Sequence, residues 1–228
     1  MTEKICPIKN WVPLDRAFHA VSALPQGSPR MILVHGSPGL GKTTAVGRLH
    51  LRHQGAYAYA STTWTKKSFL VKLAGRLGVT LRRKDTADAV LDAIFEKIET
   101  LQDGLIVIDE FDRISRSAGL VELVREIHDV SGIPIAVVGM DTIAKDLEAF
   151  PQFDQRIGER VEFKQVDIED ARSIATARCS VGVTDDLLAA LLDRSGGVIR
   201  LLVTELAQVQ ATGLRDAIET VGLADMGI

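Results

Sequence analysis

The chain has 228 residues, 46% of them apolar, and a formal net charge of −3. That length suits one large domain, or a domain with a small appendage, and the apolar content supports a proper core. Mild acidity excludes a globally basic nucleic-acid coat, so any DNA contact has to be a local patch, and no apolar run reaches the ~18 residues that a membrane span needs.

The opening Met1-Thr-Glu-Lys-Ile-Cys6 lacks the pattern of a signal peptide. Cys6 and Cys179 stand far apart, match no metal spacing, and fit a reducing, cytoplasmic setting. Residues 1–29 read as a lead-in segment, with Pro13 opening a short helix through Ala23 and Pro25-Gln-Gly-Ser-Pro29 as a turn cluster. Trp11 and Pro13 either pack on the core or border the base of a nucleotide.

Met31 to Val34 then read as a buried strand. Gly36-Ser-Pro-Gly-Leu-Gly-Lys-Thr43 follows, in the pattern G-x-x-x-x-G-K-[ST], and Ala45 to Gln54 continue at helical spacing until Gly55. Strand, glycine loop and helix are the context that a phosphate-binding loop requires. Gly36, Gly39 and Gly41 let the backbone curl so that successive N–H groups point inward at an anion, which makes Gly36, Ser37, Pro38, Gly39, Leu40, Gly41, Lys42, Thr43 and Thr44 the expected nucleotide-binding segment. The helix that starts near Lys42 adds the positive end of its dipole. The Lys42 ammonium suits the terminal phosphates of ATP, and the Thr43 hydroxyl suits Mg²⁺.

Ala56 to Ala60 predict a second strand, Ser61 to Ser68 a loop, and Phe69 to Leu77 a helix. Leu81-Arg-Arg-Lys84 is a basic linker. Asp85 with Asp88 predicts the cap of a helix whose face is Val90, Leu91, Ile94, Ile98 and Leu101. Leu105-Ile-Val-Ile108 is a continuous apolar run, as expected of a central parallel strand, and it ends in Asp109-Glu110-Phe111-Asp112. Paired with the glycine loop, an apolar strand ending Asp-Glu is the Walker B pattern. Asp109 is then a Mg²⁺ residue and Glu110 the general base that orients and activates water. A helix over 120–130, a strand over 133–138, a short helix over 142–150 and a last strand over 160–163 complete an α/β unit. After the 133–138 strand such ATPases place a polar side chain that senses the γ-phosphate. Here Met140 cannot hydrogen-bond well, which leaves Asp141 or Thr142, or no such residue.

From Asp167 the pattern turns to helices alone: one capped by Asp167 and running to Cys179, one from Asp185 to Arg194, one from Ile199 to Gln210, and one from Leu214 to Val221. A boundary near 165 divides an α/β nucleotide domain (30–165) from a helical lid (166–228).

With both Walker motifs, the helical tail and Gly196-Gly-Val-Ile-Arg200, the chain resembles the AAA+ ATPases. The resemblance implies a P-loop parallel sheet sandwiched by helices, followed by a small all-helical lid. It implies that Arg200 is the lid arginine that meets the γ-phosphate. Phe153-Asp-Gln-Arg156 resembles the segment that carries an arginine finger, and either guanidinium stabilises charge that grows on that phosphate. Within AAA+, Val34 to Ala45, Ile108 to Asp112 and Pro134 to Met140 are similar to the phage Mu B, IstB-like and TniB-like transposition ATPases. Too few residues precede the first strand for the N-terminal helix-turn-helix of the Mu B type. This likeness implies an ATP-dependent homo-oligomer or filament on non-specific double-stranded DNA that selects targets and activates a transposase. The loops implied to face the duplex carry Lys66, Lys67, Arg113 and Arg116, which suit phosphates. Trp64 packs under its own loop or on a sugar. An initiator- or loader-type switch acting on a protein partner is the alternative expectation, and a small-molecule P-loop kinase a more remote one.

Overall fold

The computed structural model describes residues 8–227; Cys6 lies outside them. The chain divides into two compact units. One is made of Pro13–Gly36 and Lys42–Glu162, the other of residues 8–12, Ser37–Gly41 and 163–227.

The first unit is built on a parallel sheet. In chain order it contains α1 (Trp11–Ser22, whose Trp11 and Val12 count with the other unit), β1 (Met31–His35), α2 (Lys42–His50) and β2 (Gln54–Tyr59). It continues with α3 (Lys66–Arg76), α4 (Ala87–Glu99), β3 (Gly104–Asp109), a 3-10 turn (Phe111–Arg113) and α5 (Ala118–Ser131). It closes with β4 (Ile135–Val138), α6 (Ile143–Leu147), α7 (Pro151–Asp154) and β5 (Ile157–Glu162). The five strands are all parallel, in the order β2-β3-β4-β1-β5.

A parallel sheet needs cover on both faces, and its strands are accordingly apolar on both. Leu33, Ile106, Ile108, Ile135 and Val137 pack with Leu70 and Leu73 of α3, Ile94 of α4, and Val121 and Val124 of α5. The alternate residues Ile32, Val34, Leu105, Val107, Ala136 and Val138 point to the opposite face and are equally buried, and α2 packs on β2 and β3. Because all strands run the same way, the segments that follow β1, β3 and β4 leave the sheet along one edge, where open α/β sheets bind ligands.

Several boundaries differ from expectation, each for a local reason. α2 stops at His50, and Gln54 and Gly55 belong to β2 instead of ending the helix. Gly55 sits at φ +134°, and a Cβ there would lie 2.2 Å from the Leu105 carbonyl oxygen. This glycine serves close approach of two strands. α3 begins at Lys66, three residues earlier than Phe69, because Thr65 and Ser68 form a reciprocal capping box. Lys66 and Lys67 therefore stand on the first turn of a helix. The cap of α4 is Thr86, whose hydroxyl accepts from the Ala89 N–H; Asp85 instead accepts from the Arg82 N–H at 2.7 Å. β5 starts at Ile157, not Arg160, because Gly158 lets it pass Pro29: a Cβ there would lie 2.2 Å from the Pro29 carbonyl oxygen.

The second unit contains α8 (Ile168–Arg178), β6 (Gly182–Val183), α9 (Asp185–Ser195), α10 (Ile199–Arg215), β7 (Thr220–Val221) and α11 (Leu223–Met226). Asp167 caps α8 by accepting from the Glu169 and Asp170 N–H groups. Gly196, at φ +57°, ends α9. The core joins Ala171, Ile174, Leu187, Leu191, Leu202, Leu206 and Val209. The tail is not helical throughout. β6 and β7 form a short parallel ladder, and α10 runs on to Arg215, so 214–221 is not a separate helix. Gly213 lies inside α10 and leaves room for its neighbours: a Cβ there would meet Val181 at 2.9 Å and Val221 at 3.0 Å. Residues 8–12 of the lead-in belong to this unit. Lys9 pairs with Asp167 and with Glu169, and the Asn10 side chain exchanges hydrogen bonds of 2.8 and 3.1 Å with the Lys164 backbone. Trp11 is half-buried and Pro13 exposed.

Two glycines separate strain from chain entropy. Gly55→Ala should destabilise the chain by about 3 kcal/mol, through a clash with Leu105 and an unfavourable φ. Gly75→Ala, on α3 where nothing lies within 4 Å of the new methyl, should stabilise it by roughly 0.5–1 kcal/mol. Urea unfolding of both variants checks the pair.

Candidate functional site

Gly36, Gly39 and Gly41 have φ of +148°, +84° and +87°, the left-handed side that glycine alone adopts freely. The segment between β1 and α2 thus turns tightly and feeds into a helix whose first N–H groups have no intrahelical partner. Thr43 and Thr44 are exposed on that first turn, Ser37 is half-buried, Pro38 is exposed, and Leu40 is buried as the anchor of the loop. The bend is braced from α10. The Arg200 N–H donates to the Gly39 carbonyl at 3.0 Å. A Cβ on Gly39 would meet Val198 at 2.8 Å, and one on Gly41 would meet Ile199 at 3.2 Å. The glycines are required for this fit as well as for their dihedrals.

Lys42 opens α2, and its ammonium donates to the Gly36 carbonyl at 2.5 Å, across the mouth of its own loop. Burial lowers its pKa, while the carboxylates of Asp141, Asp109, Asp112 and Glu110 oppose that shift. The structure therefore gathers the glycine-loop lysine and both Walker B carboxylates in one electrostatic field.

Asp109 ends β3 and is buried. Its Oδ1 accepts from the Glu110 N–H at 2.8 Å and its Oδ2 from the Tyr57 hydroxyl at 2.7 Å. Burial, then the contact with Asp109, pushes the Tyr57 phenol above its ordinary pKa, so it remains a donor. Tyr57 was not anticipated. The available signal was a hydroxyl-bearing aromatic in the alanine-rich strand that pairs with β3: Tyr57 lies beside Val107, two residues short of Asp109.

Glu110 turns out of the strand at φ +55°, ψ +38°, a left-handed conformation uncommon for a non-glycine residue. Its carboxylate pairs with Arg113 at 2.7 Å, both side chains about half exposed. Asp112 accepts from the Met140 N–H at 3.1 Å and so ties the end of β3 to the end of β4. Of the residues weighed for γ-phosphate sensing, Met140 is exposed and Thr142 caps α6 by position without a side-chain bond. Asp141 has the largest charge effect on Lys42 and lies 4.0 Å from His35 Nδ1.

Of the remaining candidates, Arg200 adjoins the glycine loop through its N–H on Gly39, and Arg156 does not. Arg156 is at the opposite end of β1 from the glycine loop: its carbonyl accepts from the Met31 N–H, and its guanidinium binds both oxygens of Asp129, at 2.8 and 3.1 Å. Arg200 is exposed at the start of α10. The Lys66 side chain runs over Gly119 at the start of α5, which brings the start of α3 alongside the segment after the Walker B turn. Arg116 pairs with Asp146 at 3.1 Å and Arg113 with Glu110. Trp64 packs against Phe69, ring centroids 5.2 Å apart, under its own loop.

For a metal, the donors on offer are the Thr43 hydroxyl and the Asp109 carboxylate. Among the described residues no three His, Cys, Asp or Glu side chains converge as a cage. Few, hard oxygen donors fit Mg²⁺, which draws most of its ligands from water and phosphate. Among the described residues, no helix is long and apolar enough to cross a membrane.

No curated protein matches the chain. Among solved structures, Cdc6p from Pyrobaculum aerophilum is similar with a TM-score of 0.73 and 16% identity, over 99% of this chain and 67% of that one. The Aeropyrum pernix ORC2 protein, solved as ADPNP–ADP complexes, gives 0.72 and 17% over 92% and 63%. The Aeropyrum pernix ORC1 protein, solved in complex with DNA, gives 0.67 and 20% over 96% and 65%. The chain thus spans about two thirds of the length of these proteins. The likeness is one of fold: a parallel sheet with flanking helices and a P-loop, as in AAA+ proteins. The AAA domain family matches residues 26–147, more than half of the sequence, and the chain belongs to that family.

Proposed function

We propose that the chain is a Mg²⁺-dependent ATPase that assembles on duplex DNA in its ATP-bound form. The observation that carries the ATPase reading is Lys42 bonded to the Gly36 carbonyl at the mouth of the glycine loop, in the electrostatic field of Asp141, Asp109, Asp112 and Glu110. In this reading the backbone of residues 36–44 surrounds the phosphates and Lys42 bridges the terminal two. Thr43 and Asp109 would hold Mg²⁺, which when bound neutralises charge on the phosphate oxygens. Glu110 takes a proton from water as that water attacks the γ-phosphorus, and ADP leaves with the broken bridging bond. Arg200 stabilises the charge that develops. Arg156, at the far end of β1, serves a neighbouring subunit's nucleotide.

DNA contact falls to Lys66, Lys67, Arg113 and Arg116. Support comes from the adjacency of the Lys66 side chain and the start of α5, and from fold likeness to a protein solved with DNA. The further role is in transposition, as target selection and transposase activation by a homo-oligomer or filament. It is supported by the similarity of residues 34–45, 108–112 and 134–140 to the Mu B, IstB-like and TniB-like proteins. The alternative reading is an initiator- or loader-type switch acting on a protein partner, and a discrete small complex with no length-dependent assembly on DNA would favour it.

Lys42→Ala should abolish binding of a fluorescent ATP analogue. Glu110→Gln should bind it within about threefold of wild type while losing roughly 10²–10⁴-fold in hydrolysis, the usual worth of a general base. Equal binding defects in both would show that Glu110 is structural. Reversing charge at Lys66 and Lys67 together should weaken ATP-dependent binding to all duplex sequences alike and flatten the salt dependence by about one unit per lost phosphate contact. Fluorescence anisotropy at several salt concentrations reads both quantities. Unaltered binding would move the DNA face elsewhere.

A further inference from the structure

Asp109 is the buried acid of the Walker B turn, and its carboxylate is held from two sides. One hydrogen bond, from the Glu110 N–H, is built into the turn itself. The other, from Tyr57, comes from a different strand. The parallel register sets Tyr57 beside Val107 and Tyr59 beside Asp109, so the Tyr57 ring has to reach forward along the sheet to bring its hydroxyl to Oδ2. The ring is fixed for that reach. It lies edge-on to His50 of α2 with centroids 5.7 Å apart, is tilted against Tyr59 at 5.1 Å, and lies 3.8 Å from where a Cβ on Gly47 would stand. Tyr57 therefore touches the helix that carries Lys42 and Thr43 and the carboxylate at the end of β3, a link between the two Walker motifs that neither motif contains.

We infer that Tyr57 is a positioning residue for the metal-binding carboxylate: its hydroxyl fixes the rotation of Asp109 and leaves the remaining lone pairs aimed at a hydrated divalent cation delivered with the nucleotide. A carboxylate bonded at one oxygen alone can rotate about its terminal torsion, which is soft. A second donor on the other oxygen removes that freedom. The same donor draws electron density from Oδ2, which favours contact with the cation through water. Partners of this kind, one bond removed from a metal, are commonly worth ten- to a hundredfold in metal affinity. The inference rests on the nucleotide reading of the glycine loop and goes beyond it, because the Walker motifs assign no role to this strand position.

Tyr57→Phe keeps the ring and removes the hydroxyl. The test is affinity for a fluorescent ATP analogue, titrated with Mg²⁺ and repeated in chelator. In chelator the variant should match wild type within about twofold. The Mg²⁺ needed for half-maximal effect should rise by about tenfold. In an Asp109→Asn background the added Tyr57→Phe change should have no further effect, because the hydroxyl acts through that carboxylate; a merely structural tyrosine would lower affinity in both backgrounds and in chelator alike. Mg²⁺ dependence within twofold of wild type would overturn the inference. If wild type itself bound no nucleotide, the reading of the loop would fail instead. Fluorine labelling gives a readout on the wild-type fold, since the chain has two tyrosines, Tyr57 and Tyr59. With 3-fluorotyrosine, the Tyr57 resonance should move when Mg²⁺ is added to the ATP complex and stay still in Asp109→Asn. A Tyr57 resonance indifferent to Mg²⁺ in wild type would equally overturn the proposal.

Discussion

A half-buried ammonium in the electrostatic field of several carboxylates is the constraint on which the site depends. Lys42 has lost part of its hydration, and that loss favours its neutral form. The acids that follow β3 and β4 supply the opposing field, so the lysine and the acids need one another. They meet because the sheet is parallel. A strand that enters from one side and leaves from the other must return through a helix, and every return places the next strand's end on the same edge. β1 and β3 are not neighbours; β4 lies between them, and the turn after β4 is tied to the turn after β3 through Asp112.

The rigid parts of this edge are backbone parts. Three left-handed glycines shape the loop, a left-handed Glu110 shapes the turn after β3, and Gly139 leaves room for Asp112, whose oxygen would stand 2.7 Å from any Cβ placed there. Positions that demand such dihedrals or such closeness tolerate few substitutions. That is why a phosphate loop can be recognised from so few letters, whereas the side chains that reach the site from elsewhere leave no comparable trace.

The same contrast explains what was legible in the sequence. The buried strands at 31–34, 105–108 and 133–138, the last read two residues too long at its start, could be read because both faces are covered and the apolar runs are unbroken. The places of Lys42 and Thr43 at a helix start, and of Asp109 and Glu110 at a strand end, could be read because the flanking elements fix them relative to the chain. Gly55 was misread as a stop because a glycine that ends a helix and a glycine that admits a neighbouring backbone look alike in one dimension. Capping chemistry at Thr65 and Ser68 was visible but overlooked, which misplaced the start of α3. Tyr57 was missed for a deeper reason: its partner is 52 residues away, and strand order alone brings them together. Arg156 was chosen on similarity, and the structure puts its guanidinium on Asp129, at the end of β1 away from the loop.

Titration calorimetry of the wild-type chain with ATP, with and without Mg²⁺, tests the central claim most directly. A saturable isotherm at about one nucleotide per chain, tighter with Mg²⁺ than with chelator, is the predicted result. Absence of heat from ATP and from ADP alike, in a folded sample over a range of temperatures, would contradict it and remove the basis for every role assigned to residues 36–43 and 109–110.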